Sequence, residues 1–336
     1  MKNIVLFICD SLRYDHGGFF LDLLRKPTFV IKGLTAGLCT PPSIASIFTA
    51  MSPLEHNVCD FFNRIDIKET PFPMFEDFEF YSYIYDPIRC VMLNLKGKQR
   101  KIREMNEPFI WIERLMETHY PYGQIFFGKF PKDGTIGLDY FDMLRKKGAS
   151  IIDEYRKGVL KAKEHIKIRL LELKLSNLLD RTQVIITSDH GEILDNRYPS
   201  PHGFPPCKDL VEVPIIFSPP NNLPRVMRLR DVLPTALDIF GLEWRREQSV
   251  KDKDIHVVRE VCSSCDVLRN LLTIWECSLD ETKMVGIYED NSFRRILKRF
   301  LLSQLMSPAK ATLIAKAYRF ARKASPGITG LLARAL

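Results

Sequence analysis

The amino terminus lacks an apolar run long enough to cross a membrane. Ile4-Val5-Leu6-Phe7-Ile8-Cys9 stops at Asp10, whereas a spanning helix needs about 20 residues. No small-residue cleavage site follows it, so the run is expected to be a buried strand, and the protein is expected to be cytoplasmic rather than secreted. Cysteine is present but not organised. Its eight positions (Cys9, Cys39, Cys59, Cys90, Cys207, Cys262, Cys265 and Cys277) are scattered through 336 residues, which excludes a small disulfide-stapled scaffold. Cys262 and Cys265 form one Cys-x-x-Cys with no second pair and no neighbouring histidine, so buried thiols or a local disulfide explain them more plainly than zinc or redox chemistry. Internal repeats and low-complexity linkers are missing as well. Acidic residues are absent from residues 291–336, which hold ten Lys plus Arg, so residues 1–290 sum to −2 although the chain as a whole carries +8.

What is present suits one large core, with 46% apolar residues in 336. Nearly continuous Val, Ile and Phe runs at 3–9, 108–112, 183–188 and 213–217 read as buried parallel strands. Between them, Val159, Ile166, Leu170, Leu173 and Leu178 recur at helical spacing within 151–179, and 226–242 also reads as helix. Alternating strand and helix predicts an open α/β sheet, whose ligand sites lie at the carboxyl ends of its strands. Residues 60–105 and 123–150 read as insertions or lids. Residues 244–290 read as a smaller carboxy-terminal subregion with strands near 256–260 and 283–288, completing a catalytic domain over 1–290.

The strand ends carry the chemistry. The first strand leads into Asp10 and Ser11, the run at 108–112 leads toward Glu117-Thr118-His119-Tyr120-Pro121-Tyr122, and the run at 183–188 enters Asp189-His190-Gly191-Glu192. Asp10, Asp189 and His190 make a donor set for one divalent ion, whether zinc, manganese, calcium or magnesium. Taken alone, Asp10 fits a turn or helix cap equally well. Thr40 stands just before Pro41-Pro42-Ser43, a proline-primed helix start whose free amide groups favour an anionic ester. A threonine hydroxyl on a metal there is a candidate nucleophile, although the stretch by itself is also a plain capped helix. Ser11, Arg13 and Lys208 are candidates for contacting the anionic group, with a surface salt bridge the competing account of Arg13. His56, His165 and His256 read as structural or solvated.

Five blocks in order resemble the alkaline phosphatase superfamily, and more narrowly its sulfatase-like branch. They are Asn3 to His16; Thr40-Pro41-Pro42-Ser43 with Ala45, Thr49, Pro53, His56 and Val58; Thr187-Ser188-Asp189-His190-Gly191-Glu192; His202-Gly203 with Val211, Val213, Pro214, Ile215 and Ile216; and Leu229 to Leu237. The resemblance implies an α/β three-layer fold, with helices on both faces of a largely parallel central sheet. It also implies a metal-dependent hydrolase or transferase of phosphate or sulfate esters in which His119 and His202 bind ester oxygens or protonate the leaving group. Two departures refine this expectation. The register fixed by Pro42-Ser43 and Thr49 puts Thr40, not a modified cysteine, at the nucleophile position and Ile44 where sulfatases carry arginine. This favours phosphomonoester or phosphodiester cleavage over sulfate ester hydrolysis. The Asp and His four residues apart that serve a second metal are not found, so one ion is expected. Those two gaps also support a catalytically inactive membrane-associated binding protein, against which stands the retention of Asp10, Thr40, Asp189, His190, His119 and His202.

In the basic tail, Phe293 to Leu302 and Ala315 to Lys323 mix cationic and apolar residues at helical spacing. Two readings stand, helices packed on the body and amphipathic helices on an anionic membrane at its inner face. On the second, a lipid-linked ester joins small-molecule esters as the expected substrate. Nucleic acid is not expected, since charge is its only support.

Overall fold

In a computed structural model of the chain, the described residues are 3–24, 28–58, 64–82, 100–123, 138–195, 202, 206–253, 255, 259–266, 271–278 and 282–288. The amphipathic segments expected in 291–336, and His256, lie outside them. Among the described residues no helix is long and apolar enough to cross a membrane.

The strands are β1 (Asn3–Cys9), β2 (Ile31–Leu34), β3 (Asp77–Ser82), β4 (Phe109–Leu115), β5 (Thr182–Thr187), β6 (Glu212–Ser218) and β7 (Val226–Arg228), followed by β8 (Arg259–Asp266), β9 (Leu271–Ser278) and β10 (Thr282–Tyr288). The helices are α1 (Thr40–Thr49), α2 (Pro53–His56), α3 (Leu138–Lys146), α4 (Ile151–Leu175), α5 (Lys208–Val211) and α6 (Val232–Ile239). The first seven strands form one sheet in the order β3-β4-β1-β5-β6-β2-β7. β1 sits in its middle, parallel to β4 and β5, and β3 is parallel to β4. The expected run at 213–217 is β6, but it pairs antiparallel with both β5 and β2, so the sheet is mostly rather than wholly parallel. Strand hydrophobicity fixes burial on both faces and leaves direction open, which is why direction was misread.

Alternation along β1 divides the core. Ile4, Leu6 and Ile8 face a cluster shared with Ile44, Ile47 and Phe48 of α1 and with Val232, Leu233 and Leu237 of α6. Val5, Phe7 and Cys9 face the other layer, with Tyr155, Val159, Ile166, Leu170 and Leu173 of α4. Each such side chain contributes about 1.5–3 kcal/mol by leaving water. Ser150 caps α4, accepting from the Asp153 N–H at 3.3 Å, and Asp153 and Glu154 in the first turn suit the helix dipole.

Within the stretch read as an insertion, β3 forms one edge of the sheet, bidentately tied to Arg100 through Asp77 at 2.5 Å. The carboxy-terminal subregion is an antiparallel meander in the order β10-β9-β8. β8 and β10 match the two strands expected near 256–260 and 283–288, and β9 was not foreseen. The meander is anchored to the main body by an Arg230–Glu260 ion pair of 3.0 Å.

Gly158 in α4 lets the chain after β4 lie against the helix. A Cβ there would stand 2.2 Å from the Glu117 carbonyl oxygen. Gly→Ala in a helix ordinarily stabilises by about 1 kcal/mol. Here Gly158→Ala is expected to destabilise by roughly 2 kcal/mol or more, because backbone must give way. Urea unfolding decides the sign, and a variant as stable as the parent would refute the close approach.

Candidate active site

β1, β4 and β5 end side by side, and each end is pinned. The Asp10 N–H donates to the Leu115 carbonyl at 2.9 Å, and the Thr118 hydroxyl donates to the Asp10 carbonyl at 2.6 Å. Ser11 turns the chain with φ +65°, its N–H donating to Asp189 Oδ1 at 3.1 Å and its hydroxyl to Asp10 Oδ1 at 3.0 Å. After β5, the Asp189 carbonyl accepts the hydroxyls of Thr35 and of Ser43 on α1. The next loop folds tightly onto α5, where Gly191 and Glu192 donate their N–H groups to the Leu210 and Asp209 carbonyls at 2.9 and 3.1 Å. Gly191 is required there, since a Cβ would sit 1.8 Å from the Asp209 oxygen.

Thr40 is the first residue of α1, a helix buried along all ten positions and started by Pro41 and Pro42. Its hydroxyl lies 3.3 Å from Asp10 Oδ2 and 3.5 Å from His190 Nε2. Ligand atoms of Asp10, Asp189 and His190 all fall within 4.8 Å of one another, and all three residues are fully buried. The Arg114 guanidinium, on β4, donates to Asp10 Oδ2 and, at 3.3 Å, to the Thr40 hydroxyl. Burial alone would raise the Asp10 carboxyl. Arg114, helped by His119, His190 and His202, outweighs that and holds it well below the usual carboxylate range.

Three imidazoles are each engaged through Nδ1. A carbonyl oxygen only accepts, so Nδ1 carries the proton in His190, which faces the Gly191 carbonyl at 2.8 Å, and in His119, which faces the Tyr120 carbonyl at 2.6 Å. His202 Nδ1 meets the Glu192 carboxylate at 3.1 Å, and Tyr122 donates its hydroxyl to the other Glu192 oxygen at 3.0 Å. The His202 ring lies 4.8 Å from that of His190 and 5.0 Å from that of His119. Burial pulls His202 down, but attraction to Glu192 and its hydrogen bond leave the ring with a raised pKa; burial dominates at His119 and lowers it.

These residues fit a divalent ion. Asp189 Oδ2 is buried without a hydrogen-bond partner, 3.7 Å from His190 Nε2, and a buried carboxylate oxygen left so is costly unless something positive meets it. His190, Glu192 and His202 form a second group of ligand-type residues, in which Glu192 already serves His202 and Tyr122.

No protein-family model matches the sequence. It is 29% identical over 263 residues to the low-salt glycan biosynthesis sulfotransferase Agl7 of Haloferax volcanii, a match covering 72% of this chain and 62% of that protein. Among solved structures, a 2-O GAG sulfatase superposes with a TM-score of 0.57 at 14% identity, covering 92% of each chain. The carboxy-terminal periplasmic domain of phosphoethanolamine transferase EptC from Campylobacter jejuni gives 0.53 at 16% identity, over 76% of this chain and 95% of that one. The chain has an alkaline phosphatase-like fold.

On this alkaline phosphatase-like frame, Asp10, Thr40, Asp189 and His190 come together, with His119 and His202 beside them. Three other candidates take different places. Ser11 faces the two carboxylates and orients them. Arg13 is committed to Asp15 at 2.8 Å and to Asp209 at 3.0 Å, which makes it a brace between the β1 exit and α5, not an anion receptor. Lys208 is 70% exposed and pairs along its own chain with Glu212 at 3.7 Å. Sequence reading missed Arg114 because β4 runs to Leu115, three residues beyond the apolar run. Glu192 stood in the quoted motif and His202 in the next block, but nothing in the sequence pairs the two.

Behind the site, His165 of α4 lies between Glu113 at 3.0 Å and Glu117 at 2.7 Å, and Arg169 forks onto Glu113 at 3.0 Å. All four are buried. Burial lowers the imidazole, but hydrogen bonds and attraction from both glutamates outweigh it and push the pKa up to about 9. A pKa raised above the unfolded value of about 6.5 gives stability that is complete below pH ~6.5 and lost as pH climbs through ~9. The unfolding free energy of the parent is therefore expected to fall by about 2–3 kcal/mol more than that of His165→Gln between pH 6 and pH 9.5. Parallel declines in urea melts at the two pH values would show that no such proton is held.

Proposed function

We propose that this chain is a metal-dependent enzyme acting on phosphate or sulfate esters, with Thr40 as nucleophile. The observation that carries the reading is the Thr40 hydroxyl at the first turn of a buried helix, 3.3 Å from Asp10 Oδ2 and 3.5 Å from His190 Nε2. The donor set suits one ion of zinc, manganese, magnesium or calcium held by Asp10, Thr40, Asp189 and His190, which would lower the cost of the threonine alkoxide and polarise the ester. The amide groups opening α1 add positive potential where the ester's charge must lie.

The chain's own residues supply the remaining steps. The Thr40 hydroxyl loses its proton to solvent, and its oxygen forms a bond to phosphorus or sulfur as the ester bond opposite it breaks. The departing oxygen takes a proton from an imidazolium, for which His202, backed by Glu192, is the best placed. Water or another hydroxyl then displaces Thr40, and hydrolase and transferase differ only in that acceptor. Phosphate esters are the favoured substrates, because threonine occupies the nucleophile position. Likeness to a protein named a sulfotransferase supports sulfuryl transfer as the second reading.

The reading includes a cytoplasmic setting, with residues 291–336 binding an anionic membrane surface and thereby reaching lipid-linked esters. The full chain should bind anionic vesicles more than tenfold tighter than neutral ones at low salt, and equal weak binding to both would count against it.

For the chemistry, Thr40→Ala is expected to lower turnover of aryl phosphate, aryl phosphodiester or aryl sulfate by about a thousandfold or more, measured with metal in saturating excess so that Asp10, Asp189 and His190 stay loaded. Thr40→Ser should keep part of the rate. Quenched parent enzyme should yield a Thr40 peptide heavier by one phosphoryl or sulfuryl group. Turnover that survives Thr40→Ala would remove the nucleophile, and a parent chain inert toward all three esters would favour the binding-protein alternative.

A further inference from the structure

An ester arriving at Thr40 brings negative charge toward Asp10 and Asp189, and α1 offers no cation to meet it: its ten residues are Thr, Pro, Ser, Ile, Ala and Phe. Arg13 is bound up with Asp15 and Asp209, and Lys208 pairs with Glu212. Arg114 comes from another direction. In β4 it stands level with Ile8, two residues before Asp10, on the face where Ile110 and Ile112 pack toward α1. It is 8% exposed, and the same nitrogen, Nη2, donates to both Asp10 Oδ2 and the Thr40 hydroxyl. A guanidinium held against the reacting oxygen is within reach of whatever that oxygen bonds to, and its planar N–H fork suits the oxygens of phosphate or sulfate.

The geometry points to Arg114 as a catalytic residue that binds the nonbridging oxygens of the ester beside Thr40 and offsets the charge accumulating on them during transfer. This rests on the reading of Thr40 as nucleophile. In the step, the Thr40 hydroxyl loses its proton to solvent and its oxygen bonds to phosphorus or sulfur, and the ester bond breaks with its electron pair going to the leaving oxygen, which is protonated by an imidazolium. Arg114 keeps all its protons throughout. Asp10 accepts from Arg114 and would also be a ligand of the ion, so losing the guanidinium would leave the carboxylate free for the metal. A residue that merely held Asp10 in place would instead lose the metal when removed.

The test uses the full chain, as Arg114→Met and Arg114→Lys, titrated with Mn²⁺ alone and then, Mn²⁺-loaded, with inorganic phosphate. Phosphate affinity is expected to fall roughly tenfold or more in Arg114→Met and to recover in part in Arg114→Lys, with Mn²⁺ affinity unchanged or tighter. Aryl phosphate turnover should fall by about a hundredfold or more in the Met variant. Unchanged phosphate affinity, a parent chain that binds no phosphate, or Mn²⁺ affinity falling in step with phosphate would each overturn the assignment. If Arg114→Met fails to fold by circular dichroism, Arg114→Lys and Arg114→Gln are judged by the same measurements. Turnover lost in Thr40→Ala but kept in Arg114→Met would sink Arg114 alone, whereas turnover kept in Thr40→Ala would sink the nucleophile on which it rests.

Discussion

Asp10 and Asp189 place two carboxylates in a space with no access to water, at the ends of adjacent parallel strands. Two like charges roughly 5 Å apart repel by about 3 kcal/mol even at an effective dielectric near 20. Little around them is free to vary for that reason. Ser11 donates to both, through its N–H to Asp189 and through its hydroxyl to Asp10, and adopts φ +65° to do so. Arg114 faces Asp10, and the His190 N–H faces Asp189 Oδ1 at 2.9 Å. What remains is Asp189 Oδ2, which lacks a hydrogen-bond donor and would be met by a cation.

The same constraint explains how the backbone around the cluster is built. Asp189 cannot move without its carbonyl leaving the hydroxyls of Thr35 and Ser43, and Ser43 lies one helical turn from Thr40. The second carboxylate is thereby locked to the helix that carries Thr40, so strand end and helix start are positioned as one unit. Reacting groups must hold their places to within a fraction of an ångström, and linkage through fully buried hydrogen bonds achieves that better than a loop could.

Much of this was legible from the sequence, and the reasons for success and failure are physical. Buried strands announce themselves by unbroken apolar runs, so β1 and β5 and the polar residues that end them were found where they lie. Thr40 was placed by the prolines after it. Arg114 was not found, because a strand was assumed to stop where its apolar residues stop. In β4 the pleat continues through Glu113, which turns toward His165 and Arg169, and Arg114, which turns toward Asp10, each charge buried only because its partner comes from elsewhere in the chain. Lys208 failed for the opposite reason. It is near the site in sequence, but on α5 its side chain points along the helix to Glu212 and out to solvent.

That alternation in β4 also bears on how transfer would proceed. Thr40 lies in the α1 layer, and Arg114 faces it with a positive charge. The α4 layer supports the segment that carries His119, through Gly158 against the Glu117 carbonyl, His165 against the Glu117 carboxylate, and Tyr122 against Glu192 and so His202. In-line displacement requires attacking and leaving oxygens on opposite sides of phosphorus or sulfur. A sheet that separates its two helical layers, and opens both of them at the same row of strand ends, provides those opposite sides without any further device. Thr40 comes from one layer, the segment carrying His119 is supported from the other, and the strand ends between them, holding Asp10 and Asp189, are where the transferred group would sit.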